Sequence, residues 1–349
     1  MPGKESFYRS VAPEGMWSVS DSRWLAIFSL PWYLRGPGAD SAYLRRPART
    51  LLSPPWEYLD TGSVAMPTIT ANDGINLYYE DTGSGTPVIF VHEFAGDYRS
   101  WEPQVRHFSR RYRCITYNAR GYPPSDVPSN VDQYSQQFAR DDILAVMSAL
   151  DIQRAHIVGL SMGGFAALHF GIKYSPRALS LVVAGCGYGA HPSQYTQFQE
   201  QSRALAKTMR EEGMPKVAAT YGHGPSRLQL QAKDPRGFAE FVRNFSEHSA
   251  LGSANTMLGY QARRPSLYDL TAEMARIEAP LLIVAGDEDD ATLEPSLLMK
   301  RTIPTAALAV LPKSGHVLNM EEPALFNRLL EDFFHQVETG RWIARTASV

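Results

Sequence analysis

The sequence predicts an α/β protein with a mostly parallel central sheet and helices on both faces. Short apolar runs alternate along the chain with longer segments whose apolar residues recur at helical spacing. Parallel strands are joined by crossover connections, usually helices, that pack on a face of the sheet. This alternation therefore indicates helices on both faces. The 349 residues suffice for one such domain with a substantial insert.

Strands are predicted where apolar and β-branched residues cluster between turn signals. A hairpin opens the domain, with residues 68–70 and 75–80 on either side of the turn Asn72-Asp73-Gly74. The run at residues 87–92 has the continuous hydrophobicity that is typical of a buried parallel strand. Further strands are expected at residues 112–117, 155–160, 179–184, 280–285 and 306–311.

Helices are predicted in the segments that separate or follow the parallel strands. Residues 135–150 carry an apolar stripe, and residues 162–174 are rich in glycine and alanine. Residues 101–110 also show helical spacing, and the last helix has paired apolar residues from Leu325 to Phe334. Together they can cover both faces of the predicted sheet.

The alternation breaks between Gly185 and Pro280, where no buried strand is predicted. Helical patches occur there instead, at residues 195–212, 215–221, 235–247 and 255–262. An insert of this size after one sheet strand indicates a helical cap over the active site. The predicted organisation is an N-terminal extension at residues 1–66, an α/β core at residues 67–189 and 273–349, and a helical cap at residues 190–272.

Residues 1–66 differ in composition from the rest of the chain. They hold four of the six tryptophans and many prolines, with little periodicity. They are either an appendage packed by its aromatic residues or a stretch upstream of the natural start, with Met66 as a plausible initiator. The apolar stretch at residues 24–34 is too short to span a membrane, and no Ala-x-Ala site follows it closely, which disfavours a signal peptide.

Charge and the lengths of the apolar runs argue against nucleic acid and a membrane span. The 34 Lys and Arg nearly balance the 36 Asp and Glu, so no strong field favours nucleic acid. No apolar run reaches the roughly 18 residues of a membrane span.

Cys114 and Cys186 lie in apolar, strand-like runs and are predicted to be buried thiols rather than a disulfide. This favours a reducing compartment, and we expect a cytoplasmic location.

A candidate nucleophile lies in Gly159-Leu160-Ser161-Met162-Gly163, which matches G-x-S-x-G. The motif follows a predicted strand and opens a predicted helix, the context that a nucleophile elbow requires. A nucleophile in such a strained turn needs small neighbours, and Gly159 and Gly163 meet that need. The alternative, a serine that caps a helix beside a glycine turn, is disfavoured by this context. Ser161 is therefore the candidate nucleophile.

A serine hydroxyl needs a base to become nucleophilic at neutral pH. His316 lies in a loop after the predicted strand at residues 306–311, and such a loop can reach the elbow from the carboxyl end of a late strand. His169, inside the helix after Ser161, is predicted to pack or to lie on the surface. Three further histidines fall in the predicted cap and could face substrate: His191, His223 and His248.

An acid is needed to orient the imidazole and to stabilise the imidazolium. The chain order of this type of triad places the acid between the serine and the histidine. Four consecutive acids, residues 287–290, directly follow the predicted strand at residues 280–285. They cannot all be catalytic, and the residues alone leave the choice among them open.

These motifs, in this order, resemble the α/β-hydrolase superfamily over roughly residues 67–337. The matching pieces are the loop from His92 to Gly96, Ala119-Arg120-Gly121, the elbow at Ser161, Gly286 to Asp289, and Gly315-His316. The resemblance implies the α/β-hydrolase fold. In the family the acid usually takes the last position of a G-x-x-D segment, which implies Asp289.

The resemblance also implies an oxyanion hole made of two backbone N–H groups. One would belong to Met162, directly after the nucleophile, and the other to Phe94 in the loop after the third strand. Relatives commonly carry His-Gly-x in that loop, whereas this chain has Glu93 in place of the glycine. Glu93 either points away in an ion pair, the reading we favour, or places a carboxylate near the site. His92 and Glu93 are therefore candidates for substrate contact.

The resemblance implies a serine hydrolase of small-to-medium carboxylic esters or lactones that forms an acyl-enzyme. A serine nucleophile argues against similarity in mechanism to haloalkane dehalogenases or epoxide hydrolases. Two alternatives stay open: a hydrolase of carbon–carbon bonds in ring-cleavage dienoates, and a ligand-binding protein on the same fold. Anionic dienoates would need a cation in the pocket. Four arginines of the predicted cap are candidates for it, although solvated faces are the favoured interpretation: Arg203, Arg243, Arg263 and Arg264.

The expected partner is a small-molecule substrate, and the sequence carries no signal for an oligomeric state. No metal or organic cofactor is predicted, because the chain has no H-E-x-x-H, paired C-x-x-C or phosphate-binding loop. Eight apolar cap residues are candidates for the pocket wall, of which about two thirds are expected to pack cap helices together. They are Tyr195, Phe198, Met209, Tyr221, Phe238, Phe241, Phe245 and Met257.

Overall fold

Eight strands form one sheet in the computed structural model, which describes residues 66–345. The strands are β1 (Thr68–Thr70), β2 (Asn76–Gly83), β3 (Thr86–Val91), β4 (Tyr112–Tyr117), β5 (Ala155–Leu160), β6 (Ala178–Ala184), β7 (Leu281–Gly286) and β8 (Ala306–Leu311). Each predicted strand is present, with end points shifted by up to three residues. Except for Met66, the predicted N-terminal extension lies outside the described residues.

The sheet order is β1-β2-β4-β3-β5-β6-β7-β8. The first two pairings, β1 with β2 and β2 with β4, are antiparallel. All later neighbours are parallel. The mostly parallel sheet that the sequence predicts is therefore confirmed. β5 lies near its centre, paired with β3 on one side and β6 on the other.

The described helices connect the strands and cover the sheet. They are α1 (Glu102–Phe108), α2 (Gln136–Ala149), α3 (Met162–Tyr174), α4 (Pro192–Glu212), α5 (Met214–Thr220), α6 (Leu228–Lys233), α7 (Pro235–Ser246), α8 (Ala250–Asn255), α9 (Thr271–Met274), α10 (Asp290–Thr302), α11 (Leu318–Glu321) and α12 (Pro323–Glu338). Short 3-10 turns and one π-turn, Thr256–Tyr260, join several of them.

Apolar side chains divide between the two faces of the sheet, as the alternation along a strand requires. In β3, Val88 and Phe90 belong to one apolar cluster, and Ile89 and Val91 belong to another. The first cluster includes residues of α1 and α12, and the second includes residues of α2, α3 and α10. Both faces are thus covered by helices, as predicted. The buried, unpaired thiols lie one in each cluster: Cys114 and Cys186.

Helices α4 to α9 lie between β6 and β7, where the described chain has no strand. We call residues 190–272 the insert. In α7, Phe238, Phe241 and Phe245 form a buried face at helical spacing. No helix was predicted at α6, over most of α8 or at α10. Helices α6 and α8 have six residues each, too few for a full apolar stripe, and Pro295 lies inside α10. Among residues 66–345, no helix is both long and apolar enough to cross a membrane.

Candidate active site

Ser161 lies in a strained turn between β5 and α3. Its backbone has φ +53° and ψ −112°, in the region that non-glycine residues rarely adopt. A Cβ added at Gly159 would lie 2.1 Å from the carbonyl oxygen of Gly163. A Cβ added at Gly163 would lie 2.1 Å from the carbonyl oxygen of Val91. Both glycines are therefore required by close backbone approach, and the turn presents Ser161 at the carboxyl edge of the sheet.

Three of the predicted site residues meet at that edge. The Nε2 atom of His316 is 2.8 Å from Oγ of Ser161, and Nδ1 of His316 is 2.7 Å from Oδ2 of Asp289. Thr292 donates a hydrogen bond of 3.0 Å to the same carboxylate oxygen. His316 and Asp289 are buried. A hydrogen-bonded path therefore runs from the Ser161 hydroxyl to a buried carboxylate.

In the His316–Asp289 pair, each group favours the charged form of the other. Burial favours the neutral imidazole, but the adjacent Asp289 carboxylate outweighs it and raises the pKa of His316 above its ordinary value. Burial also favours the neutral carboxyl, but His316 and the Thr292 hydrogen bond lower the pKa of Asp289. Asp289 is thus ionised at neutral pH and stabilises the protonated imidazole.

The neighbouring acids point elsewhere. Asp287 accepts a hydrogen bond of 3.0 Å from the Ser314 backbone N–H. Glu288 contacts Lys313 at 3.3 Å and is exposed. Asp290 begins α10 and is also exposed. Among the four acids that the sequence left open, only the Asp289 carboxylate reaches His316.

Phe94 and Met162, the expected oxyanion donors, are held by two tyrosine hydroxyls. Tyr122 donates a hydrogen bond of 2.9 Å to the Phe94 carbonyl, and Tyr260 donates one of 2.8 Å to the Met162 carbonyl. Met162 is the first residue of α3, so its N–H has no partner within the helix. Sequence reasoning missed both tyrosines, because nothing near them in the chain marks their contacts with residues far away in sequence.

His92 and Glu93 are held inside the protein. The Nε2 atom of His92 accepts a hydrogen bond of 3.0 Å from the Ala119 N–H, and Nδ1 is 2.7 Å from the Glu93 carbonyl oxygen. Burial lowers the pKa of His92 to about 4, so its ring is neutral. Glu93 forms an ion pair of 2.7 Å with Arg227. Neither side chain lines the cavity beside Ser161, so the expected substrate contact has no support from the geometry.

Arg227 is a site neighbour that the sequence did not reveal. It is 1% exposed and pairs with Glu93, which is 2% exposed. Its guanidinium lies 5.2 Å from the centre of the Phe241 ring. The preceding residue, Ser226, accepts a 3.3 Å hydrogen bond from the His316 backbone N–H. The short loop around Arg227 thus fastens the insert to the loops that carry Glu93 and His316.

A cavity of about 390 Å³ opens beside Ser161. The core contributes Phe94, Ser161, Asp289 and His316 to its wall, and the insert contributes most of the remainder. Of the eight apolar insert residues considered from the sequence, three line the cavity, in keeping with the expectation that most of them pack elsewhere. These three are Phe198, Tyr221 and Met257.

Arg264 also lines this cavity, contrary to the expectation of a solvated face. It is 5% exposed, and its guanidinium lies 3.8 Å from the centre of the Phe165 ring and 4.6 Å from that of Phe198. The expectation was wrong because the chain turns inward after the π-turn and carries Arg264 between α3 and α4. The other three arginines are exposed: Arg203, Arg243 and Arg263.

Comparisons with known proteins show to which family the chain belongs. A family model described as alpha/beta hydrolase fold matches residues 86–323. A 3-oxoadipate enol-lactonase of Acinetobacter baylyi is 26% identical over 77% of this chain and 97% of its own length. A 2-hydroxy-6-oxononadienedioate/2-hydroxy-6-oxononatrienedioate hydrolase of Comamonas testosteroni is 29% identical over 74% of this chain and 90% of its own. A solved thermophilic esterase from Thermogutta terrifontis, with malate bound, has a TM-score of 0.69 and 28% identity, covering 78% of this chain and 98% of the esterase.

Proposed function

This chain belongs to the α/β-hydrolase fold family, and we propose that it is a serine hydrolase of small-to-medium carboxylic esters or lactones. The observation that carries the proposal is the hydrogen-bonded path from Ser161 through His316 to Asp289. The strained turn presents the serine at the wall of a cavity large enough for such a substrate. Because the chain is a hydrolase, the reading as an inactive ligand-binding protein is set aside.

The first half-reaction transfers the acyl group to the enzyme. His316 Nε2 takes the proton of Ser161 as Oγ attacks the substrate carbonyl carbon. Negative charge develops on the carbonyl oxygen, where the N–H groups of Phe94 and Met162 stabilise it. One such donor contributes about 3–4 kcal/mol to the transition state. The carbon–oxygen bond to the alcohol then breaks, and His316 returns its proton to the leaving oxygen.

The second half-reaction releases the acid. His316 takes a proton from water, and the resulting hydroxide attacks the acyl carbon of the Ser161 ester. The same two N–H groups hold the second oxyanion, and the Ser161 oxygen leaves with the proton from His316. Throughout, Asp289 keeps the imidazole oriented and offsets its positive charge. With a lactone substrate, the alcohol and the acid remain on one product molecule.

The insert acts in this proposal as a cap that limits which substrates reach Ser161. Its apolar side chains form much of the wall and exclude water from the developing oxyanion. The residues that hold the insert in place lie next to the triad, because Ser226 contacts the His316 backbone and Tyr260 contacts the Met162 carbonyl. Movement of the insert would therefore alter the reacting groups directly.

Carbon–carbon bond hydrolysis is the second candidate, and one observation favours it. Arg264 places a cation in the cavity, as an anionic dienoate would need. The Comamonas testosteroni relative carries a name of that class. Turnover of a ring-cleavage dienoate without turnover of esters would establish this candidate in place of the first.

The test of the main proposal is loss of activity at one serine. Ser161→Ala is expected to abolish turnover of p-nitrophenyl acetate and labelling by a fluorophosphonate probe, because both reactions require the Ser161 oxygen. Ser148→Ala, at an exposed serine of α2, is the matched control and should retain both. Acetate turnover at the wild-type rate in Ser161→Ala would contradict the assignment of the nucleophile.

A further inference from the structure

Among the described residues, no anion balances the charge of Arg264, a cation in the wall of the cavity. Three arginines are buried among the described residues: Arg120, Arg227 and Arg264. Arg120 pairs with Asp142 at 2.6 Å, and Arg227 pairs with Glu93 at 2.7 Å. Within residues 66–345, Arg264 has no carboxylate at ion-pair distance. A buried charge is costly unless it is paired, so Arg264 stands apart from the other two.

The contacts of Arg264 hold its side chain without neutralising it. Its guanidinium donates to the side-chain oxygen of Gln261 and to the carbonyl of Tyr188, both neutral acceptors. It lies between the rings of Phe165 and Phe198, at 3.8 and 4.6 Å from their centres. Burial lowers the pKa of Arg264 to about 10, so it remains charged at neutral pH. The two rings and the two hydrogen bonds restrict the guanidinium, which prepares it for directional hydrogen bonding.

The position of Arg264 puts the charge within the reach of a substrate. It lines the same cavity as Ser161 and His316, and Phe165 beneath it is one turn along α3 from the nucleophile. A guanidinium has five N–H donors, more than its two neutral acceptors use. The matching acceptor is a carboxylate, whose two oxygens fit the guanidinium fork.

We propose that Arg264 binds a carboxylate of the substrate, so that the substrate is an anionic ester or lactone. This inference rests on the proposed function, because it adds a recognition group to the same site. The carboxylate replaces the missing counter-charge of Arg264, while the apolar wall holds the chain that links it to the scissile carbonyl. Selectivity arises because a neutral analogue leaves the buried cation unpaired.

Two p-nitrophenyl esters of matched shape test the proposal. The p-nitrophenyl monoester of adipic acid carries a carboxylate, and p-nitrophenyl 6-methylheptanoate replaces that group with an isopropyl group. The four-methylene chain is long enough to limit attack of the carboxylate on its own ester. Arg264→Gln is expected to lower kcat/KM for the adipate ester roughly 10- to 100-fold, as for loss of one charged hydrogen bond. The value for the neutral ester should change less than about threefold.

Arg263→Gln is the matched control, because Arg263 is adjacent in sequence, exposed and paired with Asp132. It should leave both kcat/KM values unchanged. An equal fall for both esters in Arg264→Gln would overturn the proposal, since it would indicate a purely structural role. Should Arg264→Gln fail to fold, Arg264→Lys keeps the charge without the fork, and the preference for the adipate ester should fall by a smaller factor.

A binding measurement separates failure of this inference from failure of the proposed function. Calorimetry with adipate and the Ser161→Ala protein needs no turnover, and affinity should fall roughly 10- to 100-fold when Arg264→Gln is added. Equal adipate affinity in the two proteins, or no binding to either, would overturn the role of Arg264 even if the wild type hydrolyses esters. Adipate binding that depends on Arg264, in a wild type without esterase activity, would instead overturn the proposed function alone.

Discussion

The two walls of the cavity are built in different ways. On the core side, backbone geometry positions the proposed nucleophile, because Ser161 has a positive φ and Gly159 and Gly163 have no room for a side chain. On the insert side, side chains set the wall, with Arg264 held between two aromatic rings. Under the proposed function, we therefore expect the chemistry to depend on close backbone approach and the selectivity to depend on side-chain packing.

Among the contacts between core and insert in the described residues, three lie beside Ser161, His316 and the loop of Phe94. Glu93 in the core pairs with Arg227 in the insert, the Tyr260 hydroxyl bonds the Met162 carbonyl, and the His316 N–H bonds the Ser226 carbonyl. Changes on either side should therefore have different signatures. Changes at the proposed reacting side chains of the core should abolish the chemistry, whereas changes at the junction or at the glycines of the elbow should lower the stability of the fold.

The largest expected effect is on the core side, at the acid of the proposed triad. Asp289→Asn should lower kcat roughly 10⁴-fold, because an amide no longer holds the productive imidazole tautomer or stabilises the imidazolium. The measurement is steady-state hydrolysis of p-nitrophenyl acetate. Asp290→Asn, at the exposed start of α10, should leave kcat nearly unchanged. A similar loss in both variants would reopen the choice of acid.

The next effect is at the junction. Glu93→Gln should lower the free energy of unfolding by about 3–5 kcal/mol, because it leaves Arg227 buried without a counter-charge. Urea denaturation measures the change, and adding Arg227→Met should recover much of the loss. Arg263→Gln breaks a surface pair with Asp132 and should cost about 0–1 kcal/mol. Equal costs for the buried and the surface pair would contradict the ion-pair account of Glu93.

The smallest expected effect is on stability, and it is tested by replacing one glycine of the core and one glycine of the insert with alanine. Gly163→Ala forces a Cβ against the Val91 carbonyl and should cost at least about 1–3 kcal/mol, the range for overpacking. Gly222→Ala, in the insert, meets its nearest atoms at 3.6 and 3.7 Å, which is ordinary contact. It should change stability by less than about 1 kcal/mol. Thermal unfolding checks both, and a well-tolerated Gly163→Ala would contradict backbone control of the elbow.

The strands and most of the longer helices could be predicted because their signals are local, whereas α10, with Pro295 inside it, was not. The strand at residues 155–160 and the helix at residues 162–174 follow from hydrophobic periodicity, and their bounds agree with the structure. The short α6 could not be predicted, because a helix of this length carries too few residues for a period. The elbow could also be predicted, since the glycines that the turn requires lie two residues from Ser161 on either side.

The sequence by itself determined the sheet, the elbow at Ser161 and the short list of acids, since each depends on residues close together along the chain. Only the tertiary structure decided which acid reaches His316, how Glu93 is paired and that Arg264 faces the cavity. Glu93 and Arg227 are 134 residues apart. Pairing across that distance depends on how the insert packs onto the core. A contact between residues so far apart in sequence leaves no periodic or local pattern in the chain.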